Sequence, residues 1–169
     1  MVVTKVKQIK SVNKLSDGIK YIEDGAKTIG AELLDSDLNF PIKFVNGQPV
    51  SQLVSGNLII DVESAYSEMM QLKQLANLEK GRPINNEELV KNDVLAHHVI
   101  QSFSPEDNLT PEQVHEIGRK TALELTGGSH QFVIATHMDK GHLHNHIYIN
   151  STNSVTLNKF RWQKGTKTY

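Results

Sequence analysis

The sequence predicts an α+β domain, a mostly antiparallel sheet with helices packed on it in two or three layers. Three observations lead there. A segment that alternates apolar and polar residues (VVTKVKQI) and two further strand segments (HQFVIATH, HLHNHIYIN) lie among segments with helical spacing. Two of the strand segments are separated only by MDKG, a turn that makes them an antiparallel hairpin. The resulting order, β-α-(insert, α)-β-α-β-β, is that of an α+β sandwich.

Taken along the chain, residues 2–9 form the first strand. A helix follows from about Val12, with Leu15, Ile19 and Ile22 at helical spacing and Tyr21 near its end. Residues 30–57 are looser and read as an insertion, within which Asn46-Gly47 between short apolar runs signals a hairpin. Asp61 is placed to cap a helix over roughly 62–78, with Ala65, Met69, Leu72 and Leu75 on its buried stripe. EKGRPINNEELVKND is polar and reads as a loop, and VLAHHVIQSF as a strand. In LTPEQ, Thr110 is the N-cap, Pro111 the first helical residue and Gln113 the far side of a capping box. That helix runs to about Thr126, where Gly127 and Gly128 stop it. The hairpin then closes the sheet.

A length of 169 residues suits one domain with its own core. No apolar run approaches a membrane span, and MVVTKVKQIK lacks the apolar centre of a secretory signal. With no cysteine, disulfides and thiolate metal sites are excluded, and a reducing cytoplasm is expected. The net charge of −1 hides an uneven distribution. Residues 1–28 carry six lysines against Asp17, Glu23 and Asp24, and residues 151–169 carry Lys159, Arg161, Lys164 and Lys167 with no acid. Two basic ends that met on one face could contact phosphates. The chain stops at Tyr169 in polar, basic sequence, which reads as the N-terminal fragment of a longer protein.

HMDKGHLHNH, residues 137–146, holds four of the eight histidines. On a strand, side chains alternate faces, so His142, His144 and His146 share one face with Tyr148 and Asn150, while Leu143, Ile147 and Ile149 take the other. Same-face neighbours stand about 6.5–7 Å apart, close enough for two imidazoles to lean onto one cation. His137, across the turn, can supply a third nitrogen, and Asp139 can hold a histidine N–H. One histidine on a strand is usually an ordinary polar residue. A cluster left without metal would partly charge near neutral pH and repel itself, so a metal site is the better reading. Three imidazoles suit Mn, Zn, Ni or Co better than bare Mg, and three ligands leave open positions for catalysis. HExxH is missing. HLHNH lacks the acid of HxHxDH metallohydrolases, and cupins need a later glutamate.

The spacing H-x-D-x-x-H-x-H-x-H-x-x-x-N, here HMDKGHLHNHIYIN, closely resembles the third motif of conjugative relaxases, the mobilization nucleases of the HUH endonuclease superfamily. SVNKLSDGIKYIEDGAKT resembles the first motif of the branch with a single N-terminal tyrosine. LVSGNLIIDVESAYSEMMQLKQ, DVLAHHVIQSF, LTPEQVHEIGRKTALEL and LNKFRW fall where that branch has comparable blocks, so the resemblance spans nearly the whole chain.

The resemblance implies an HUH-like fold and nicking and joining of one DNA strand at an origin of transfer. It makes Tyr21 the nucleophile and His137, His144 and His146 the ligands of a divalent cation, Mn or Mg in use, with Zn, Ni or Co as other occupants. Asp139 orients a histidine or helps take the tyrosine proton. His142, His98 and Asn150 are helpers near the site; His97 and His98 are adjacent on a strand and point opposite ways, and the sequence leaves open which of the two faces the site. Lys20, Lys27, Thr28, Ser102, Thr110, Lys159 and Arg161 are expected DNA contacts. Tyr66, Tyr148 and Tyr169 are the competing tyrosines, and Tyr66 reads as core. Expected partners are single-stranded origin DNA, with or without an adjacent hairpin, and relaxosome and coupling proteins reached through a missing C-terminal part, in a bacterial cytoplasm. Two other readings stand beside this one: a metallohydrolase of a small substrate, and a non-catalytic metal-stabilised DNA-binding module.

Overall fold

A computed structural model of the chain describes residues 2–22, 29–32, 42–45, 48–81, 94–137 and 142–160. The elements are β1 (Val2–Ile9), α1 (Val12–Ile22), β2 (Ile29–Glu32), β3 (Ile42–Val45), β4 (Gln48–Gln52), β5 (Val54–Asn57), α2 (Ala65–Glu79), β6 (Ala96–Phe103), α3 (Pro111–Thr126), β7 (His130–His137) and β8 (His144–Asn153). The main sheet has five strands in the order β1-β6-β8-β7-β5, every neighbouring pair antiparallel. β2, β4 and β3 make a separate three-stranded sheet. Val45 pairs with Gln48 on either side of the expected Asn-Gly turn. Val54–Asn57, the end of the stretch read as an insertion, is an edge strand of the main sheet, paired with β7.

Helices cover both faces, giving the three-layer form of the expected sandwich. On one face, Leu15, Ile19 and Ile22 of α1 and Ala65, Met69 and Met70 of α2 pack with Val54, Val133, Ala135 and Tyr148. On the other, Ala122 of α3 packs with Val99, Phe132, Ile134, Ile147 and Ile149. β7 lies between the two layers and is buried at every position, whereas β1 is an edge and largely exposed. Fully buried side chains such as Leu15, Phe132 and Ile147 each contribute about 1.5–3 kcal/mol by leaving water. Gly18 allows α1 to lie close on β8, because a Cβ there would overlap the Tyr148 hydroxyl.

The capping box of α3 forms as expected: Gln113 N donates to Thr110 Oγ1 at 3.2 Å, and Thr110 N to Gln113 Oε1 at 2.9 Å. Gly127, at φ 66°, ends the helix in the left-handed conformation that glycine adopts without strain. α2 departs from expectation. Asp61 accepts from Glu63 N, but a 3₁₀ turn over Val62–Ser64 precedes the α-helix. The buried stripe is Ala65, Met69, Met70, Lys73 and Ala76, and Leu75 is 48% exposed. The stripe includes a lysine because Lys73 Nζ donates to Ser151 Oγ at 2.7 Å and Thr152 Oγ1 at 3.2 Å. Those hydroxyls on the far end of β8 repay part of the desolvation that would otherwise hold a lysine in water. β8 also begins later than expected, at His144, and His142 precedes it on exposed chain.

Candidate metal centre and active site

The sheet register brings the histidines together. His137 on β7 and His144 on β8 are direct cross-strand partners, and His146 pairs with Ala135 one step further along the same face. One ligand nitrogen from each of His137, His144 and His146 lies within 4.8 Å of the others. Ring centroids are 5.1 Å apart for His137–His144, 4.5 Å for His137–His146 and 5.1 Å for His144–His146. Donors sharing an ion at about 2.1 Å stand roughly 3–4 Å apart, a spacing compatible with the 4.8 Å limit here.

Surrounding groups orient the rings. His137 Nε2 lies 2.8 Å from the Ile22 carbonyl. A carbonyl only accepts, so Nε2 carries the proton and Nδ1 presents its lone pair. His146 Nδ1 lies 2.9 Å from His98 Nε2, and the His98 ring stacks on Tyr148 with centroids 4.3 Å apart. Burial, with smaller contributions from Lys7 and His137, depresses the His98 pKa to about 4 and keeps that ring neutral. His97, one residue away, is on the opposite face against Phe160, with centroids 5.3 Å apart. The His142 ring is 5.4 Å from that of His144 at the mouth of the cluster.

Tyr21 sits in the last turn of α1, 48% exposed, between buried Ile22 and exposed Lys20. Its ring centroid is 5.9 Å from that of His137 and 6.5 Å from that of His146. Helix periodicity explains the arrangement: Ile22 anchors the turn in the core while Tyr21 turns outward over the histidines. The other described tyrosines are placed differently. Tyr66 packs against the core, and Tyr148 is 4% exposed with its phenol pKa raised by burial.

Other expected residues are spread more widely. Ser102 is opposite His144 on β6, half-buried beside the cluster. The Thr110 side chain is engaged in its cap. Asn150 belongs to the other end of β8, about 20 Å from His144 at strand rise, where its Nδ2 donates to Met69 O and Gln131 Oε1. Lys159 bridges to Thr152 at that same far end of β8, away from the histidines. Asp139, Lys27, Thr28, Arg161 and Tyr169 lie outside the described residues.

Sequence reading missed a polar network directly behind the ligands. Asn145 points to the reverse face between His144 and His146, opposite Thr136. Its Nδ2 donates to Val114 O at 2.7 Å and to Gln101 Oε1 at 3.2 Å, so its oxygen faces Thr136, which donates to it at 2.7 Å. Thr136 then accepts from His115 Nδ1 at 2.9 Å, and His115 Nε2 accepts from Ser55 Oγ at 2.6 Å. Gly118 leaves room for the amide, since a Cβ there would stand 2.5 Å from Asn145 Nδ2. The available signal was Asn145 itself, a polar residue on the strand face occupied by Ile147 and Ile149.

An antiparallel sheet bearing three convergent imidazoles, with a half-exposed tyrosine over them on the first helix, defines a nuclease domain of the HUH type. Residues 46–169 match the relaxase family, described as MobA/VirD2-like, nuclease domain, and the chain belongs to that family. It is 43% identical over 178 residues to the group II intron-interrupted relaxase LtrB of Lactococcus lactis subsp. cremoris, a match covering 96% of this chain and 32% of that protein. It is 38% identical over 104 residues to protein rlx of Staphylococcus aureus, covering 62% of this chain and 29% of that protein. The chain thus spans about a third of the length of these relatives. Among the described residues, no helix is long and apolar enough to cross a membrane.

Proposed function

We propose that this domain nicks and rejoins one DNA strand at an origin of transfer, with Tyr21 as nucleophile and His137, His144 and His146 as the ligands of a divalent cation, Mn or Mg in use. The observation that carries the reading is the Tyr21 ring within 5.9 Å and 6.5 Å of two of the three candidate ligands. In the reaction, the Tyr21 oxygen forms a bond to the scissile phosphorus as the bond from phosphorus to the 3′-oxygen breaks. The products are a 5′-phosphotyrosine and a free 3′-hydroxyl. The number of phosphoester bonds is unchanged, so the reverse attack rejoins the strand without ATP.

A phenol of ordinary pKa, about 10, is mostly protonated at neutral pH and must lose its proton to attack. Asp139 is assigned to take that proton or to orient a histidine. His137, His144 and His146 would hold a divalent cation, which would supply positive charge to offset the negative charge of the scissile phosphate. His98 holds His146, and the Ile22 carbonyl holds His137, so the ligands need little reorganisation. Ser102, opposite His144, and the exposed Lys20 next to Tyr21 in the chain are assigned as contacts to the same DNA. Relaxosome and coupling proteins are the partners proposed for the whole protein.

Incubation with single-stranded origin DNA and Mn²⁺ is the test. A covalent DNA adduct that disappears in Tyr21→Phe is expected. Cleavage that survives Tyr21→Phe indicates a metallohydrolase. Tight binding with no cleavage indicates a non-catalytic module.

A further inference from the structure

We infer that the strip of sheet beside the histidines, formed by β1 and β6, seats the DNA strand leading away from the scissile phosphate, with Lys5 and Lys7 on its backbone. The inference rests on the relaxase reading and concerns where the substrate lies.

The register places these residues in rows with the candidate metal site. Val3 pairs with Ser102, and Ser102 with His144. Lys5 pairs with Ile100, and Ile100 with His146. Lys7 pairs with His98, and His98 with Tyr148. Directly paired residues project from the same face, so Val3, Lys5 and Lys7 stand on the face that carries the three imidazoles. Two interstrand spacings separate Lys5 from His146, about 10 Å.

Exposure marks the same strip. On β7 and β8 this face is buried under α1 and α2 along Val133, Ala135 and Tyr148. On β1 and the Ile100–Ser102 end of β6 it stays open: Val3, Lys5 and Lys7 are exposed, and Ile100 and Ser102 half-buried, whereas Ala96 and His98 further along β6 are buried. β1 and β6 contain no acidic residue, although the chain as a whole carries a net charge of −1. The strip therefore offers two cations, a hydroxyl and apolar surface, continuous with the centre at which a phosphate would be held. A polyanion with apolar bases matches that combination, and the strand attached to the scissile phosphate is the one already present.

Lysines on an edge strand also discourage strand pairing between molecules. That role is indifferent to which face they occupy. Here both fall on the histidine face, while Thr4, Val6 and Gln8 take the other.

The test is the salt dependence of binding to a fluorescently labelled single-stranded oligonucleotide of mixed sequence. It compares the wild type, a Lys5→Gln/Lys7→Gln double variant, and Lys120→Gln on α3 as a charge control beneath the opposite face. Each lost phosphate contact lowers the slope of log K against log[salt] by about 0.7 on single strands, so the double variant should lose about 1.4 and the control nothing. A double variant with the wild-type slope and affinity overturns the inference, as does a control that loses as much. Adduct formation, scored separately, distinguishes the two levels. A wild type that forms the Tyr21 adduct while the double variant keeps its slope sinks the strip alone. A slope that depends on Lys5 and Lys7 without any adduct supports the strip and sinks the nicking reading.

Discussion

His137 donates from Nε2 to the carbonyl of Ile22 at 2.8 Å, so the end of the first helix holds a candidate metal ligand of the seventh main-chain strand, β7. This contact links the position of Tyr21 to the orientation of His137. Movement of the α1 end would disturb nucleophile and ligand together.

Tyr21→Phe removes only the attacking oxygen. The ring is half-exposed and anchored by its neighbour Ile22, so stability should change by no more than about 0.5 kcal/mol. The covalent adduct should disappear while Mn²⁺ affinity, read by calorimetry, stays within a few-fold of wild type. A large loss of Mn²⁺ affinity would show that the tyrosine helps build the metal site.

His144→Ala should abolish nicking and weaken Mn²⁺ binding, yet leave much of the affinity for origin DNA. Phosphate and base contacts supply most of the grip on a nucleic acid. Anisotropy and nicking assays on the same preparation separate the two effects. Loss of both in parallel would contradict the assignment.

Gly18→Ala should destabilise the fold by about 1–3 kcal/mol, the usual cost of overpacking. The new Cβ would press on the Tyr148 ring and hydroxyl. Adding Tyr148→Phe should recover part of the loss, because it removes the nearest atom. Denaturant melts of both variants provide the measurement, and strict additivity would exclude the contact as the cause.

Asn145→Leu keeps the branching and the number of side-chain heavy atoms but leaves the Thr136 hydroxyl and the Val114 carbonyl without their Asn145 partner. Each stranded buried group costs about 1–3 kcal/mol. Chemical denaturation should show a loss in that range, and an unchanged midpoint would mean the network adds nothing.

Stability should also fall with acid through His115. Burial, the leading cause, depresses its pKa from 6.5 to about 4. Between those values the unfolded chain binds a proton that the folded chain does not. Stability is therefore fully present above pH 6.5, falls as pH drops toward about 4, and loses nothing further from this group below that. The shift corresponds to about 3 kcal/mol. His115→Gln should flatten this part of the pH profile, measured by denaturant titration at each pH.

What was legible in the sequence is what depends on near neighbours. Alternation marked β1, short apolar-rich runs marked β6 and β7, and Thr110, Pro111 and Gln113 announced the start of α3, because strand and helix-cap signals are set within a few residues. The same local rule placed His144 and His146 on one face and put His97 and His98 on opposite faces, while the sheet register decided which of that pair joins the cluster. Spacing also singled out Tyr21 through the family it resembles. Only the tertiary structure decided what lies across from those residues. Burial of Lys73 depended on hydroxyls at Ser151 and Thr152, and the orientation of His137 on a carbonyl in α1. The alignment of Lys5 with His146 required β6 to lie between β1 and β8. These relations join segments far apart in the chain, and hydrogen bonding between strands and packing between layers set them, which no local periodicity encodes.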